Sequence, residues 1–193
     1  MSMLDMLQQR LGNEAAVRQI GAQLGSDQST TQTAIAAALP MLVGALARNA
    51  QDPAQAGALS TTLGKKHDGS ILDDVTSHLG RQQFADGDGI LGHVFGGRKQ
   101  SVATGLGQVA GMDAGKAGML LSMLAPLVLG ALGKAQREQG LDAGGLAGML
   151  GGERQRAADA APGVMGMLGK FLDRDGDGSV MDDIGGMLGK LGR

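Results

Sequence analysis

A chain of 193 residues with 42% hydrophobic residues is long enough to bury a core, but it has only three phenylalanines and no tryptophan or tyrosine to fill one. Leucine, methionine and alanine must do that work, with helix axes drawn close over some of the 35 glycines, each of which costs about 1 kcal/mol relative to alanine inside a helix. The absence of cysteine excludes disulfides and thiolate metal sites, and a net charge of −2 argues against a general nucleic-acid binder, which needs a basic face.

In chain order, residues 1–10 read as a short amphipathic helix and lack the basic start and apolar run of a signal peptide, so the cytoplasm is the expected compartment. Residues 13–24 form a short helix stopped by Gly25, and Ser26 or Asp27 caps the next. That longer helix carries Ala34, Ile35, Ala38, Leu39, Leu42 and Leu46 at one-face spacing. Pro40, mid-run, must kink it or open a new helix at its first turn. Residues 50–100 are rich in Gly, Ala, Gln and Asp and are expected to give short helices and loops. Within them, Ser70 of Asp68-Gly69-Ser70-Ile71-Leu72-Asp73-Asp74-Val75 reads as the cap of a helix whose first turn carries two aspartates. Asp86 and Asp88 read as a turn.

Residues 113–134 then repeat residues 27–48 without a gap, at a constant offset of 86. Pro126 matches Pro40, Gly130 matches Gly44, Gly111 matches Gly25, and the apolar set is Leu120, Leu121, Leu124, Leu127, Val128 and Leu132. Small residues flank both prolines, which points to a tight helix crossing. Residues 140–163 again read as short helices and loops, and β-branched alternation appears nowhere. The expected fold class is all-α: a Gly/Ala-rich helical bundle built from an internal duplication. It divides into residues 1–100, 101–150 and a C-terminal part, 151–193.

The segment with a built chemical pattern is Asp173-Arg174-Asp175-Gly176-Asp177-Gly178-Ser179. A calcium loop of the EF-hand kind places side-chain oxygens at positions 1, 3 and 5, a turn glycine at 6 and a carbonyl at 7. Asp173, Asp175, Asp177, Gly178 and Ser179 fill those places, and Asp182 or Asp183 would close the shell. Position 12, which normally supplies a bidentate carboxylate, is Ile184, so any calcium is expected to bind weakly, towards ~10⁻⁴ M. The alternative is an Asp/Gly-rich turn that caps a final helix over 180–191. Val180, Ile184, Met187, Leu188 and Leu191 give that helix an apolar face for docking.

The spacing from Gly25-x-Asp27 to Leu39-Pro40-x-Leu42, the Asp68–Asp74 block and the run from Asp88 to Gly96 together resemble the bacterial domain-of-unknown-function family 937, a relative of the YidB-like proteins. The resemblance covers about residues 3–150 and implies an all-helical bacterial protein with no established activity. The tail from Leu172 resembles EF-hand or dockerin loops in its first half only.

Other candidates are weaker. Residues 21–36 resemble a helix-turn-helix core, with Gln28 and Gln32 on the second helix, but no Lys or Arg lies between Gln19 and Ala47 to reach phosphates. Residues 117–133 are uncharged but short of the ~20 residues of a membrane span, so a buried central helix explains them better. His67, His78 and His93 have no zinc spacing and read as surface or helix-end residues, His93 alternatively as partly buried. No serine sits in a nucleophile elbow, and no enzyme is expected. The reading is a non-enzymatic protein with a weak calcium-type loop, or else an ion-independent module for self-association or a protein partner. Nucleic acid and membrane are not expected partners.

Overall fold

A computed structural model of the chain describes residues 2–80, 84–160, 162–164 and 166. They form nine α-helices and no strand: α1 (Met3–Leu11), α2 (Glu14–Leu24), α3 (Gln28–Asn49), α4 (Pro53–Lys66), α5 (Val75–Gly80), α6 (Phe84–Phe95), α7 (Lys99–Ala110), α8 (Ala114–Gln139) and α9 (Ala143–Ala160). The protein is all-α. Three-residue 3₁₀ turns precede α5 and α7.

The two long helices are the centre because they are apolar on every side, the signature of a helix with no solvent face. In α8 every residue from Leu120 to Gly133 is buried, and in α3 every residue from Ala37 to Ala47. Around them, α6 and α7 pack on α8, α9 packs on α3 and α4, α1 packs on α3, and α5 packs on α2. Both long helices also meet the length and composition of a membrane span, but in this fold 78% of each apolar window is already buried by protein.

The matching segments take the same local form. Gly25 and Gly111 each end a helix in the left-handed conformation, at φ 59° and 71°, which glycine adopts without strain. Asp27 and Asp113 each accept the N–H three residues on, at 2.9 Å, and start the long helices. The Lys116 ammonium then donates to the Gly25 carbonyl at 2.7 Å, tying α8 to the end of α2. Pro40 and Pro126 lie inside continuous helices, so neither opens a new one.

Three local expectations change. Residues 140–163, read as short helices and loops, hold the single 18-residue helix α9, because Leu146, Leu150 and Ala157 are buried against the bundle. Asp86 and Asp88 are in α6 and not in a turn, because α6 is held by its packing on α8. A Cβ at Gly87 would collide with the carbonyl oxygen of Ser122, so glycine there brings two backbones into contact. At the Asp68 block the caps are aspartates: Asp68 accepts from the Ser70 N–H (3.0 Å), and Asp74 accepts from the Ser77 N–H (2.9 Å) at the start of α5. Ser70 is a donor within its own turn because its hydroxyl faces Asp68.

Beyond Pro126, α8 comes close to the turn that holds residues 67–71. Gly130 faces the side chain of Ile71, and a Cβ at Gly133 would overlap the carbonyl oxygen of His67. Gly133→Ala should therefore destabilise the protein despite a helix-propensity gain of about 1 kcal/mol. Gly148→Ala, where a Cβ meets nothing within 4 Å, should stabilise it by roughly 0.5–1 kcal/mol. Urea denaturation of the two variants beside the wild type checks the opposite signs.

Candidate functional site

Helix α9 carries its buried residues at Leu146, Leu150, Glu153 and Ala157, so a glutamate stands where the helical period calls for an apolar side chain. Burying a carboxylate is costly unless its oxygens are hydrogen-bonded. Glu153, 2% exposed, meets that condition by turning towards the start of α1. One oxygen accepts the Leu4 N–H at 2.9 Å and the other accepts from Arg156 at 2.6 Å. The first turn of α1 has N–H groups with no partner within the helix, and it carries positive potential, so both needs are met at once.

The rest of that terminus is capped locally. The Ser2 hydroxyl accepts the Asp5 N–H, and the Asp5 carboxylate accepts the Ser2 N–H, each at 3.0 Å. The Ser2 backbone N–H, with its hydroxyl next, holds the Asp5 carboxyl below the usual aspartate range.

Above Glu153 lies a cleft of about 890 Å³ between α1, α8 and α9. One wall is the Ala131 and Ala135 side of α8, with Lys134 and Glu138 beside it. The facing wall is the run Gly145, Gly148 and Gly152 of α9, and a Cβ at Gly148 or Gly152 would point into open space. Met6 and Met149 stand at its sides, and Asp5 and Arg156 line it near α1. The lining has small residues, flexible thioethers and charges of both signs. It has no histidine, and the Ser2 hydroxyl is engaged in the α1 cap.

The remaining sequence candidates are dispersed. Asp173, Asp175, Asp177, Ser179, Asp182 and Asp183 lie outside the described residues. Among the described residues, no three of His, Asp or Glu converge as a metal site. The first turns of α3 expose Gln28, Ser29, Gln32 and Thr33, an uncharged edge. His93 is exposed, in keeping with its reading as a surface residue and not with the partly buried alternative. His67 is half-buried, and burial, with Lys66 second, holds its imidazole below the usual 6.5. Glu153 was missed: in Gly151-Gly152-Glu153-Arg154-Gln155-Arg156 it reads as part of a solvated charge run, and the one signal was its register with Leu146 and Leu150.

The model of a family described as "Bacterial protein of unknown function (DUF937)" matches residues 5–135. The chain belongs to that family. The match takes in α1 to α7 and most of α8, so the family's part of the cleft is the α1 and α8 side, while α9 with Glu153 follows it. No curated protein and no solved structure matches the chain.

Glu153→Ala leaves the Leu4 N–H without its acceptor and should lower stability by about 1–3 kcal/mol in urea denaturation. Arg156→Ala, at an exposed partner, should cost less. For His67, a folded-state value below the unfolded one means that the unfolded chain binds the proton more readily. Its contribution is complete above the unfolded value and declines as pH falls from there towards the folded value. His67→Gln should flatten that part of the stability–pH curve, measured by denaturation between neutral and mildly acidic pH.

Proposed function

We propose that this member of the family is a non-catalytic protein-interaction module, and that the cleft between α1, α8 and α9 receives a helix of a protein partner. The observation that carries the reading is the pair of facing small-residue walls, Ala131 and Ala135 against Gly145, Gly148 and Gly152. An α-helix is about 10–12 Å across, and walls without side chains allow its backbone close approach. Met6 and Met149 can adapt to the apolar ridge of such a helix, since methionine is unbranched and polarizable. Asp5 and Arg156 near α1, and Lys134 and Glu138 on α8, favour a partner helix with charges of both signs flanking that ridge. A second copy of the chain is the alternative occupant.

A second reading keeps the calcium loop. The order Asp173, Asp175, Asp177, Gly178 and Ser179 supports a weak cation site in the tail, with Asp182 or Asp183 completing it. Calcium would neutralise this acidic cluster and favour docking of the apolar residues that follow.

The experiment fills the cleft with Gly148→Trp, a position with open space above it. Partner capture by the wild type should be lost in the variant, while circular dichroism and thermal midpoint are retained. Light scattering across a concentration series, with calcium and then with chelator, separates the alternatives. A concentration-dependent mass lost in Gly148→Trp and insensitive to chelator marks self-association, and a calcium-dependent change abolished by Asp175→Ala with Asp177→Ala marks the tail loop. Capture and mass both indifferent to Gly148→Trp would contradict the cleft as the interaction site.

A further inference from the structure

The packing of the chain recurs along its length. Helices α1 and α2 pack on α3 as α6 and α7 pack on α8, and each fourth helix crosses to the other long one, α4 to α8 and α9 to α3. The offset of 86 that relates the long helices also carries residues 14–24 of α2 onto residues 100–110 of α7.

After α4 the chain makes a strap across α8 and α2, formed by the 3₁₀ turn Ser70–Leu72 and then α5. Ile71 fills the space over Gly130 of α8, and Leu72 and Leu79 are buried. The Gln23 amide of α2 donates to the Leu79 carbonyl. This block, Asp68-Gly69-Ser70-Ile71-Leu72-Asp73-Asp74-Val75 with Leu79-Gly80, has a counterpart after α9. It is Asp177-Gly178-Ser179-Val180-Met181-Asp182-Asp183-Ile184 with Leu188-Gly189, at a constant offset of 109. Apolar residues recur at all four packing positions: Val180 for Ile71, Met181 for Leu72, Ile184 for Val75 and Leu188 for Leu79. Residues 177–189 lie outside the described residues.

The receiving surface follows from the offset of 86. Gly44 of α3 stands for Gly130, Val109 of α7 stands for Gln23, and Arg48 stands for Lys134, whose pocket Asp68 lines. At Val109 a groove of about 400 Å³ opens between α3 and α7, walled by Thr33, Ala36 and Ala37. Val164 lines the same groove, so the chain leaving α9 arrives there. Gly44 lies about 10 Å along α3 from Ala37, at 1.5 Å per residue. Residues 167–176 can span up to ~33 Å before the block begins. The reach is sufficient.

We propose that residues 177–189 are a second strap that docks within its own chain, with Val180 over Gly44 of α3 and Leu188 beside Val109 of α7. The apolar face of the tail is then covered by the fold and is not offered to a partner. This rests on neither the helix-binding cleft nor calcium. Asp68 serves the first strap by accepting from the Ser70 N–H, and Asp177 stands in the same relation to Ser179.

The chain has no cysteine, so Lys190→Cys gives one site for a nitroxide label on the full-length protein. Methyl NMR in excess chelator should show paramagnetic broadening at Val109 and Ala37, and none at Met6 and Met149 of the cleft. Adding Val180→Asp with Leu188→Asp should abolish that broadening. Adding Gly185→Asp with Gly186→Asp should retain it, because their counterparts Thr76 and Ser77 are exposed. Broadening at Met6 and Met149 in place of Val109 and Ala37 would put the tail in the cleft and overturn the proposal. So would no broadening at Val109, or broadening that survives Val180→Asp with Leu188→Asp. Broadening of an isotope-labelled chain by the nitroxide of a second chain would mean docking between copies, and would overturn it too.

Discussion

The structure depends on contact between backbones. A core in which Phe95 is the one buried phenylalanine among the described residues gains little cohesion from aromatic area, so it gains it from proximity. Gly87 sets α6 against the Ser122 carbonyl of α8, Gly130 admits Ile71, and Gly133 admits the His67 carbonyl. Those three contacts fix α6 and the 67–71 turn on the same helix. Helix α8 also carries α7 and meets α3, so the architecture is a set of elements measured from one buried helix. The helix propensity lost at each glycine is offset by the packing that it permits.

Both proposed binding surfaces are consequences of that arrangement. Gly148 and Gly152 of α9, which line the cleft, face no neighbour, whereas Gly87 of α6 and Gly130 and Gly133 of α8 are filled from across the interface. The same residue type therefore marks a closed contact in one place and an open wall in another, and only the surroundings decide which. Glu153 holds α1 at the lower end of the cleft, so the first helix of the chain becomes one of its sides. On α3, Gly44 stands where Gly130 stands on α8, and the groove of Ala36, Val109 and Val164 opens beside α7.

Much of the frame was legible in the residues. Gly25 with Asp27, and Gly111 with Asp113, announce a helix stop and a helix start through local chemistry, and both pairs do so. The uninterrupted apolar runs around Pro40 and Pro126 announced the buried helices. Elements decided by tertiary contact were not legible. Asp86 and Asp88 favour turns locally, yet packing on α8 makes their segment helical. The region 143–160 is dense in glycine, yet it forms one helix because Leu146, Leu150 and Ala157 pack on the bundle. The register of Glu153 with Leu146 and Leu150 hinted at burial, but its partner at Leu4, 149 residues away, could not be read.

The central claim is that α8 is the element against which the others are held. Native-state hydrogen exchange tests it most directly, since amides that open only on global unfolding exchange slowest. The account predicts the slowest exchange in the buried stretch of α8 from Leu120 to Leu132, with the matching stretch of α3 close behind and α5 and α6 faster. Exchange in that stretch of α8 as fast as in α5 or α6 would contradict it.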